Sequence, residues 1–353
     1  MTKTKKQQRE VTEDDVFVAF DQMRINHPRI PGAHAKLDTV RRAGVRTPNS
    51  PKRYVELFAP SHSGKSMAIT TYIEQKVVDE AIERGLFPAD MPRSEIAAKQ
   101  RIVLHVTLSP NASVRSLATD ILRAFGDKNA DVGTGPILLR RVYSYLNGTY
   151  EDPATGKEIG RQAELLILDE IQHLADSKAK SPEGKAIKSQ KIESTVVTDT
   201  LKTMTIRGLV PMVFVGIPEA RIHLSIDSQL TNRELSKIDF SPLRWSDEGD
   251  QVIFLEYCQE AAMKLTEFDL FPEETDLLDE EIPERLWAAS GGCIGLVSRI
   301  LEEAALHAVR RGASCVEYED LELAVDTRAM PNNYVNYNPF REGVRQVEVV
   351  HDQ

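Results

Sequence analysis

The chain has 353 residues, of which 41% are hydrophobic and 28% charged, and its formal net charge is −10 at pH 7. This length predicts two domains or one large domain with a lid, and the acidic balance excludes a globally basic nucleic-acid binder but allows a locally basic face. Three scattered cysteines argue against a zinc site or a disulfide framework, and the lack of a long apolar run argues against a membrane span.

The first 48 residues are predicted to form a helical arm. Segment 1–10 is basic but is not followed by the apolar stretch of a secretory signal, so together with the cysteines it indicates a reducing cytoplasm. Thr12 is a candidate N-cap, and apolar residues at helical spacing predict a helix over 11–26. A second short helix is expected over 34–43, after a break that contains proline and glycine.

A phosphate-binding loop follows the first predicted strand, 54–58. Residues 59–66, A-P-S-H-S-G-K-S, fit the pattern G-x-x-x-x-G-K-[ST] except that alanine replaces the first glycine. A helix is predicted over 65–75, so backbone N–H groups and the helix end would face the phosphates of ATP. Lys65 would reach the β- and γ-phosphates, and the Ser66 hydroxyl would bind Mg²⁺. The residues expected to contact the nucleotide are Pro60, Ser61, His62, Ser63, Gly64, Lys65, Ser66 and Met67.

The stretch 164–174, E-L-L-I-L-D-E-I-Q-H-L, supplies the acidic half of the expected site. Two carboxylates directly after a buried strand are costly unless a cation or water uses them. We expect Asp169 to hold the Mg²⁺ shell and Glu170 to orient and deprotonate a water molecule. His173 either contacts the γ-phosphate or a partner, or packs at the start of a helix.

Alternating strands and helices predict an α/β core, in which a parallel sheet carries helices on both faces. Such sheets bind ligands at the carboxyl ends of their strands, where the loop and the two acids would both lie. After the first strand, further strands are predicted at 102–108, 165–168, 212–215 and 238–240, and helices at 114–125, 136–147 and 194–207.

Two polar insertions interrupt this core. Residues 148–163 are rich in turn formers and predict a hairpin or a loop. Residues 176–191 hold five lysines and form either a solvated loop or a basic finger on a phosphate backbone. Such a finger would present Lys178, Lys180, Lys185 and Lys188.

The segment 229–245, Q-L-T-N-R-E-L-S-K-I-D-F-S-P-L-R-W, contains a candidate arginine finger. Arg233 follows the fourth predicted strand and precedes the last one, which suits a residue that completes the site of an adjacent subunit. The alternative is a surface salt bridge, and Arg221 and Arg207 are weaker candidates.

From residue 246 onward the pattern predicts only helices, at 247–265, 282–290, 295–311 and 317–326. This region is interpreted as a small helical lid. The rest of the chain lacks sustained periodicity and is predicted to be an extended tail, either a hook for a partner with Phe340 as its apolar anchor or a segment without function. The predicted domains are 1–48 (arm), 49–245 (core), 246–327 (lid) and 328–353 (tail).

These motifs resemble the AAA+ ATPases of the initiator-like branch and, more narrowly, the TniB/TnsC family of transposition regulators. The resemblance covers roughly residues 15–326. The phosphate loop and the acidic strand are shared by many ATPases; more specific are V-G-I-P-E-A within 212–220 and S-G-G-C-I-G-L within 290–301. The sequence departs from the family at Ala59, at the end of the fourth strand, which lacks a polar sensor, and at Gly295, where related lids often place an arginine.

The resemblance implies a bacterial, cytoplasmic ATPase that binds ATP and Mg²⁺ and assembles as a ring or helical filament on double-stranded DNA. The DNA contacts it implies would have to come from local charge, and the candidates are Arg115, Lys178, Lys180, Lys185 and Lys188. Because phosphate contacts carry no base code, little sequence preference is expected. It would recruit a transposase and a TniQ-like targeting protein, with slow, DNA-stimulated hydrolysis that resets the assembly. By position, Lys65 and Ser66 carry over as phosphate and Mg²⁺ ligands, Asp169 and Glu170 as Mg²⁺ and water ligands, and Arg233 as the finger.

Two other functions stay open. A replication initiator or helicase loader would have the same fold with an appended DNA-reading domain, such as a winged helix. A nucleotide-gated scaffold would bind DNA and partners with little turnover, and a Glu170→Gln variant would distinguish it from a working ATPase.

Overall fold

The computed structural model describes most of the chain, namely residues 11–48, 50–110, 112–151, 156, 158–160, 162–174, 188–225 and 228–345. These residues form two compact units. The sheet unit spans Ile30–Ser61 and Lys65–Phe240, and the helical unit takes the described residues of Met1–Arg29, His62–Gly64 and Ser241–Gln353. The domain boundaries given above stay predictions.

Five parallel strands form the main sheet, in the order β2-β5-β6-β1-β7 as numbered below, and a short antiparallel pair, β3 and β4, lies outside it. β1, β5 and β6 are buried along their whole length, which explains why they appear in the sequence as continuous apolar runs. The strands are β1 (Tyr54–Phe58), β2 (Val103–Thr107), β3 (Tyr150–Glu151), β4 (Glu158–Ile159), β5 (Leu165–Asp169), β6 (Met212–Gly216) and β7 (Glu234–Lys237).

The helices of the described residues surround this sheet or form the helical unit. A π-helical turn over Tyr72–Val77 joins α3 to α4, and another over Val325–Ala329 follows α14. In chain order the α-helices are α1 (Glu13–Gln22), α2 (Arg29–Arg46), α3 (Lys65–Thr71), α4 (Val78–Glu83), α5 (Arg93–Lys99), α6 (Val114–Ala124), α7 (Gly135–Asn147), α8 (Lys188–Ile206), α9 (Ile222–Ser225), α10 (Ser228–Thr231), α11 (Glu248–Glu267), α12 (Ile282–Ser290), α13 (Ile294–Arg310), α14 (Tyr318–Ala324) and α15 (Pro339–Glu342).

The sheet unit has a hydrophobic core on each face of its sheet. Successive side chains of a strand point to opposite faces. In β5, Leu166 and Leu168 therefore join the cluster that contains α6 and α7, whereas Leu165 and Ile167 join the cluster that contains α2 and α3. This arrangement confirms the predicted parallel sheet with helices on both faces.

The helical unit has a core of its own, formed by α1 and the helices from α11 onward. Four of these, α11, α12, α13 and α14, match the four helices predicted for the region after residue 246. Among the described helices, none combines the length and the hydropathy that crossing a bilayer requires.

The described part of the predicted extended tail is folded. Phe340 is only 3% exposed and packs edge-on against Tyr318, with the ring centroids 5.2 Å apart. Asn338 caps α15 by accepting a hydrogen bond from the Phe340 amide at 3.0 Å, and its own amide donates to the Glu322 carbonyl at 2.9 Å. Phe340 therefore belongs to the core of the helical unit and is not available as an anchor for a partner. One buried ring and one helix cap are enough to hold a segment that shows no helical periodicity.

The last strand of the sheet and the second helix differ from their predictions. β7 precedes the predicted strand at 238–240, although the Ile238 amide still donates to the Glu56 carbonyl at 2.7 Å. α2 extends beyond the predicted 34–43 in both directions and includes Pro31. Proline is tolerated there because the first turn of a helix needs no donor from that residue.

Two smaller elements can also be compared with the sequence. The turn-rich insertion at 148–163 contains the antiparallel pair of β3 and β4, which confirms the hairpin alternative. Helix α5 was not predicted, because it offers a single buried apolar side chain, Ile96.

Two glycines of α2 provide a matched pair of stability variants. A Cβ at Gly44 would lie 2.3 Å from Cγ of Pro211, whereas a Cβ at Gly32 would meet nothing within 4 Å. We expect Gly44→Ala to lower the free energy of unfolding by about 1–3 kcal/mol, as overpacking does. Gly32→Ala should leave it unchanged or raise it by up to about 1 kcal/mol. Urea unfolding followed by circular dichroism measures both values, and equal effects would contradict the packing described here.

Candidate nucleotide-binding site

The loop that joins β1 to α3 has the backbone that its glycine and small residues predict. His62 and Gly64 have φ of 61° and 91°, in the left-handed region, so the chain reverses tightly between strand and helix. Ser63 Oγ is buried and has no hydrogen-bond partner among the described residues. An unpaired buried hydroxyl in such a loop fits a site that receives a polar ligand such as a phosphate.

Ala59 replaces the first glycine of the pattern without backbone strain. It is not among the residues with positive φ, and its amide donates to the Gly216 carbonyl of β6 at 3.1 Å. This bond continues the parallel pairing of β1 and β6 by one residue. The position therefore needs a strand conformation, which alanine adopts readily.

Lys65, the first residue of α3, directs its ammonium group into the loop. Nζ donates to the carbonyl oxygens of Ala59 and Pro60, each at 2.7 Å. Ser66 follows and is exposed at the start of the helix, and Met67 is half-buried behind it. The loop thus offers one ammonium group, one exposed hydroxyl and a helix N-terminus within three residues, a donor set that suits a polyphosphate.

Asp169 ends β5 as a buried carboxylate that is only 4% exposed. Oδ2 lies 3.2 Å from His105 Nε2, and Oδ1 accepts a hydrogen bond from the Glu170 amide at 2.8 Å. Burial alone would raise the pKa of Asp169, but the hydrogen bond and charge of His105, the Glu170 amide and the charge of Lys65 together hold that pKa below its ordinary value. Asp169 is therefore ionised at neutral pH, as a cation ligand must be.

Glu170 occupies an unusual backbone conformation directly after β5. Its φ of 61° is left-handed, which costs a non-glycine residue about 1–2 kcal/mol. The Glu170 carbonyl accepts from the His173 amide at 2.9 Å, and its carboxylate accepts from the Gln172 side chain. His173 Nε2 lies 3.9 Å from the same carboxylate. Strain of this kind concentrates at functional sites.

Residues that hold Mg²⁺ need not form a protein cage. Among the described residues, no group of three or more histidine, cysteine or acidic side chains is placed to bind a metal ion. Mg²⁺ is typically held by one or two carboxylates together with substrate phosphates and water. Ser66 and Asp169 fit that smaller donor set.

Arg233 lies beside the amino ends of the strands, whereas the phosphate loop follows the carboxyl end of β1. It precedes β7, and its carbonyl accepts from the amide of Tyr54, the first residue of β1. The loop follows the last residue of β1, about 13 Å further along the strand. The Arg233 side chain is half-buried, and its Nε has no hydrogen-bond partner among the described residues. The structure does not bring Arg233 to the Lys65 and Asp169 edge of its own sheet.

The alternative arginines are already engaged. Arg221 Nε donates to the buried Glu56 carboxylate at 2.9 Å, and Arg207 lies over the Tyr143 ring, 5.5 Å from its centroid. Among the DNA candidates, Arg115 is exposed at the start of α6, where Nη2 donates to the Asp131 carbonyl at 2.9 Å. The remaining candidates cannot be placed: Lys178, Lys180 and Lys185 lie outside the described residues, and the side chain of Lys188 at the start of α8 is not described.

Two residues of the site were not predicted from the sequence. His105 lies within a strand that was interpreted only as part of the core, and Gln172 was given no role. A polar residue inside the apolar run I-V-L-H-V-T-L was the only available signal for His105.

Comparison with protein families identifies the domain that carries this site. Residues 49–224 match the model of a family described as AAA domain. The chain therefore contains an AAA domain. The match includes the phosphate loop, the Asp169–Glu170 pair and all main-sheet strands except β7. Comparison with curated protein sequences gave no match.

Solved structures of ORC and Cdc6 proteins share the fold of this AAA domain and of the helices that follow it. They include Aeropyrum pernix ORC1 in complex with DNA, with 15% identity and a TM-score of 0.57 over 88% of this chain and 69% of that one. A. pernix ORC2 in its ADPNP–ADP complexes has 13% identity and a TM-score of 0.53 over 88% and 70%. Pyrobaculum aerophilum Cdc6p has 14% identity and a TM-score of 0.52 over 87% and 69%. The predicted AAA+ fold class is thereby confirmed, and the narrower TniB/TnsC resemblance stays a prediction.

A charge-removal pair tests the loop. We expect Lys65→Ala to weaken MgATP binding by roughly 10- to 100-fold, because a charge-assisted hydrogen bond contributes about 1.5–3 kcal/mol. Lys76→Ala removes the same charge from an exposed lysine that faces Asp38 at 3.5 Å and should bind MgATP like the wild type. Isothermal titration calorimetry measures both, and an unchanged Kd for Lys65→Ala would contradict the site.

Proposed function

We propose that this protein is a Mg²⁺-dependent ATPase of the initiator type that assembles on double-stranded DNA under the control of ATP. One observation carries the proposal. β1 and β5 both run parallel to β6, so the loop that carries Lys65 and the buried Asp169 carboxylate follow strand ends on the same side of the sheet. That pairing suits a nucleotide with its cation better than it suits either ligand alone.

Each residue at the carboxyl ends of β1 and β5 has its own role in hydrolysis. Bound MgATP supplies the phosphoanhydride and the cation. The loop amides and Lys65 bind phosphate oxygens, and Ser66 and Asp169 hold the cation. Glu170, whose carboxylate is 40% exposed, orients a water molecule and accepts its proton.

The initiator-type alternative is favoured over a transposition regulator by the fold comparisons. Three archaeal ORC and Cdc6 structures align with most of this chain, and one of them is a complex with DNA. We infer that this protein likewise associates with duplex DNA, through a local basic surface that includes Arg115, since its net charge is −10. A helicase-loading or initiation role would follow.

A transposition regulator of the TniB/TnsC type is the second candidate, favoured by its sequence motifs. Part of this evidence has a packing explanation, because Gly292 in S-G-G-C-I-G-L has φ of 75° and a Cβ there would lie 2.1 Å from the Leu243 carbonyl. The V-G-I-P-E-A motif spans the last two residues of β6 and most of the 3-10 turn that follows, and packing explains only its Gly216 and its buried Ala220. In this function the protein would recruit a transposase and a TniQ-like targeting protein.

The Glu170→Gln variant tests hydrolysis. We expect its ATP turnover to fall by roughly 100- to 10,000-fold, because the general base is lost, while MgATP binding stays within a few-fold of the wild type. Complexes on duplex DNA should then persist in the presence of ATP. Phosphate release and sedimentation with DNA measure the two effects. If neither quantity changes, the protein is a nucleotide-gated scaffold with little turnover.

Mixing of two inactive variants tests Arg233 as a finger that acts between subunits. Arg233→Ala keeps an intact phosphate loop, and Lys65→Ala keeps an intact finger, so one subunit of each can form a complete site at their interface. We expect each variant alone to lose at least roughly 1,000-fold in turnover. A 1:1 mixture should recover up to roughly a quarter of wild-type activity if subunits meet head to tail at random.

The control for this mixture is Arg207→Ala, which removes an exposed arginine that stacks on Tyr143 and should hydrolyse ATP normally. A mixture that recovers no activity would assign Arg233 a structural role. Electron microscopy of the full chain with duplex DNA and a non-hydrolysable ATP analogue tests assembly directly, and monomers under all conditions would contradict the proposed function. Stimulation of turnover by a purified replicative helicase or by a purified transposase would distinguish the two candidates.

A further inference from the structure

Gln172 lies in the 3-10 turn Ile171–Leu174 that follows β5, and both ends of its side-chain amide are engaged. Nε2 donates to the Glu170 carboxylate. Oε1 accepts from the backbone amide of Ile217, just past β6, at 3.3 Å. Because one neighbour can only accept and the other can only donate, the orientation of this amide is fixed by its partners.

Gly216, the last residue of β6, provides the space that this contact needs. A Cβ at Gly216 would lie only 2.9 Å from Gln172 Oε1. The side-chain amide thus fills the position that a side chain at the end of β6 would otherwise occupy. The sequence places no asparagine, threonine or serine at that strand end, and the structure places a polar group there from the neighbouring turn.

We propose that Gln172 is a positioning residue for ATP hydrolysis, which ties the Glu170 carboxylate to the carboxyl end of β6. Its side-chain amide provides the polar group that the end of β6 lacks. By bonding to both, the amide holds the Glu170 carboxylate at a fixed place relative to Gly216 and Ile217. This inference rests on the proposed ATPase function.

The local geometry explains why the Glu170 carboxylate needs the hydrogen bond from Gln172. The Glu170 backbone is left-handed and its carboxylate is 40% exposed, so the backbone alone does not select one direction for the side chain. The other neighbour, His173 Nε2, is 3.9 Å away, beyond hydrogen-bond distance. Among the interactions described, the Gln172 amide is the one hydrogen-bond donor from a side chain to this carboxylate.

Two single variants break the tie in different ways. Gln172→Ala removes the amide, and Gly216→Ala adds a methyl group where Gln172 Oε1 lies. We expect each to lower kcat by roughly 10- to 100-fold, the usual cost of a misplaced catalytic group, with KM and the directly measured Kd for MgATP within about twofold of the wild type. Gln172→Glu keeps an acceptor for Ile217 but loses the donor, and should lower kcat as much as Gln172→Ala does.

The double variant supplies the readout that a general packing defect would not give. In Gln172→Ala the oxygen that Gly216→Ala would strike is gone, so the double variant should turn over ATP no more slowly than Gln172→Ala alone. Gln75→Ala, at an exposed glutamine of the π-helical turn, is the matched control and should resemble the wild type. All variants are compared as full chains whose folding is checked by thermal unfolding.

The outcomes separate the inference from the function on which it rests. Unchanged kcat in Gln172→Ala, multiplied losses in the double variant, or losses confined to Kd would each overturn the role of Gln172 while leaving the ATPase function intact. If Gln172→Ala fails to fold, Gly216→Ala and Gln172→Glu decide the question by the same split between kcat and Kd. A wild-type chain that hydrolyses no ATP would overturn the proposed function itself, and this inference with it.

Discussion

The rest of the site depends on one buried carboxylate that stays ionised. Asp169 is 4% exposed, and an ion in that position is costly unless every lone pair is used. His105 from β2, the Glu170 amide from its own chain end and the charge of Lys65 together outweigh the cost of burial, so its pKa lies below the ordinary value. The sheet makes this possible because β5 is buried on both faces by two separate cores.

The hydrogen bonds of Asp169 also fix the conformation of the residues that follow it. By accepting from the Glu170 amide, Asp169 helps to hold that residue in the left-handed conformation, at which the chain leaves the plane of the sheet. The 3-10 turn then begins, and it returns Gln172 to Glu170 and to the end of β6. The ionisation of Asp169, the left-handed backbone of Glu170 and the position of the Glu170 carboxylate are therefore linked by hydrogen bonds within one short segment.

How well the sequence predicts an element depends on which contacts stabilise that element. β1, β5 and β6 are continuous apolar runs because both of their faces are buried, and all three were located correctly. β7 was misplaced by four residues because the strand E-L-S-K pairs with β1 alone and is half-exposed, while the more apolar I-D-F follows it. Phe340 was interpreted as an anchor for a partner or as part of a segment without function, because a single ring that packs into a core leaves no periodic pattern in the sequence.

The site shows the same division between local and tertiary information. The strand-loop-helix position of residues 59–66 and the place of Asp169 and Glu170 at the end of β5 could be predicted, because each is encoded in one contiguous stretch. His105 and Gln172 could not, because each acts across strands, from β2 to β5 and from the β5 turn to β6. No short sequence pattern records which strands become neighbours in the order β2-β5-β6-β1-β7.

The parallel direction of the strands also gives a physical argument for self-association. A parallel sheet has two chemically different edges, one formed by the amino ends of its strands and the other by their carboxyl ends. The phosphate loop and the acids all lie at the carboxyl edge. Arg233 lies at the amino edge, beside Tyr54, with a partly buried guanidinium stem whose Nε has no hydrogen-bond partner among the described residues. A rigid sheet cannot bring its two edges together. If the guanidinium group of Arg233 contacts the phosphates of a nucleotide in a phosphate loop, that loop must belong to a second copy of the chain, arranged head to tail with the first.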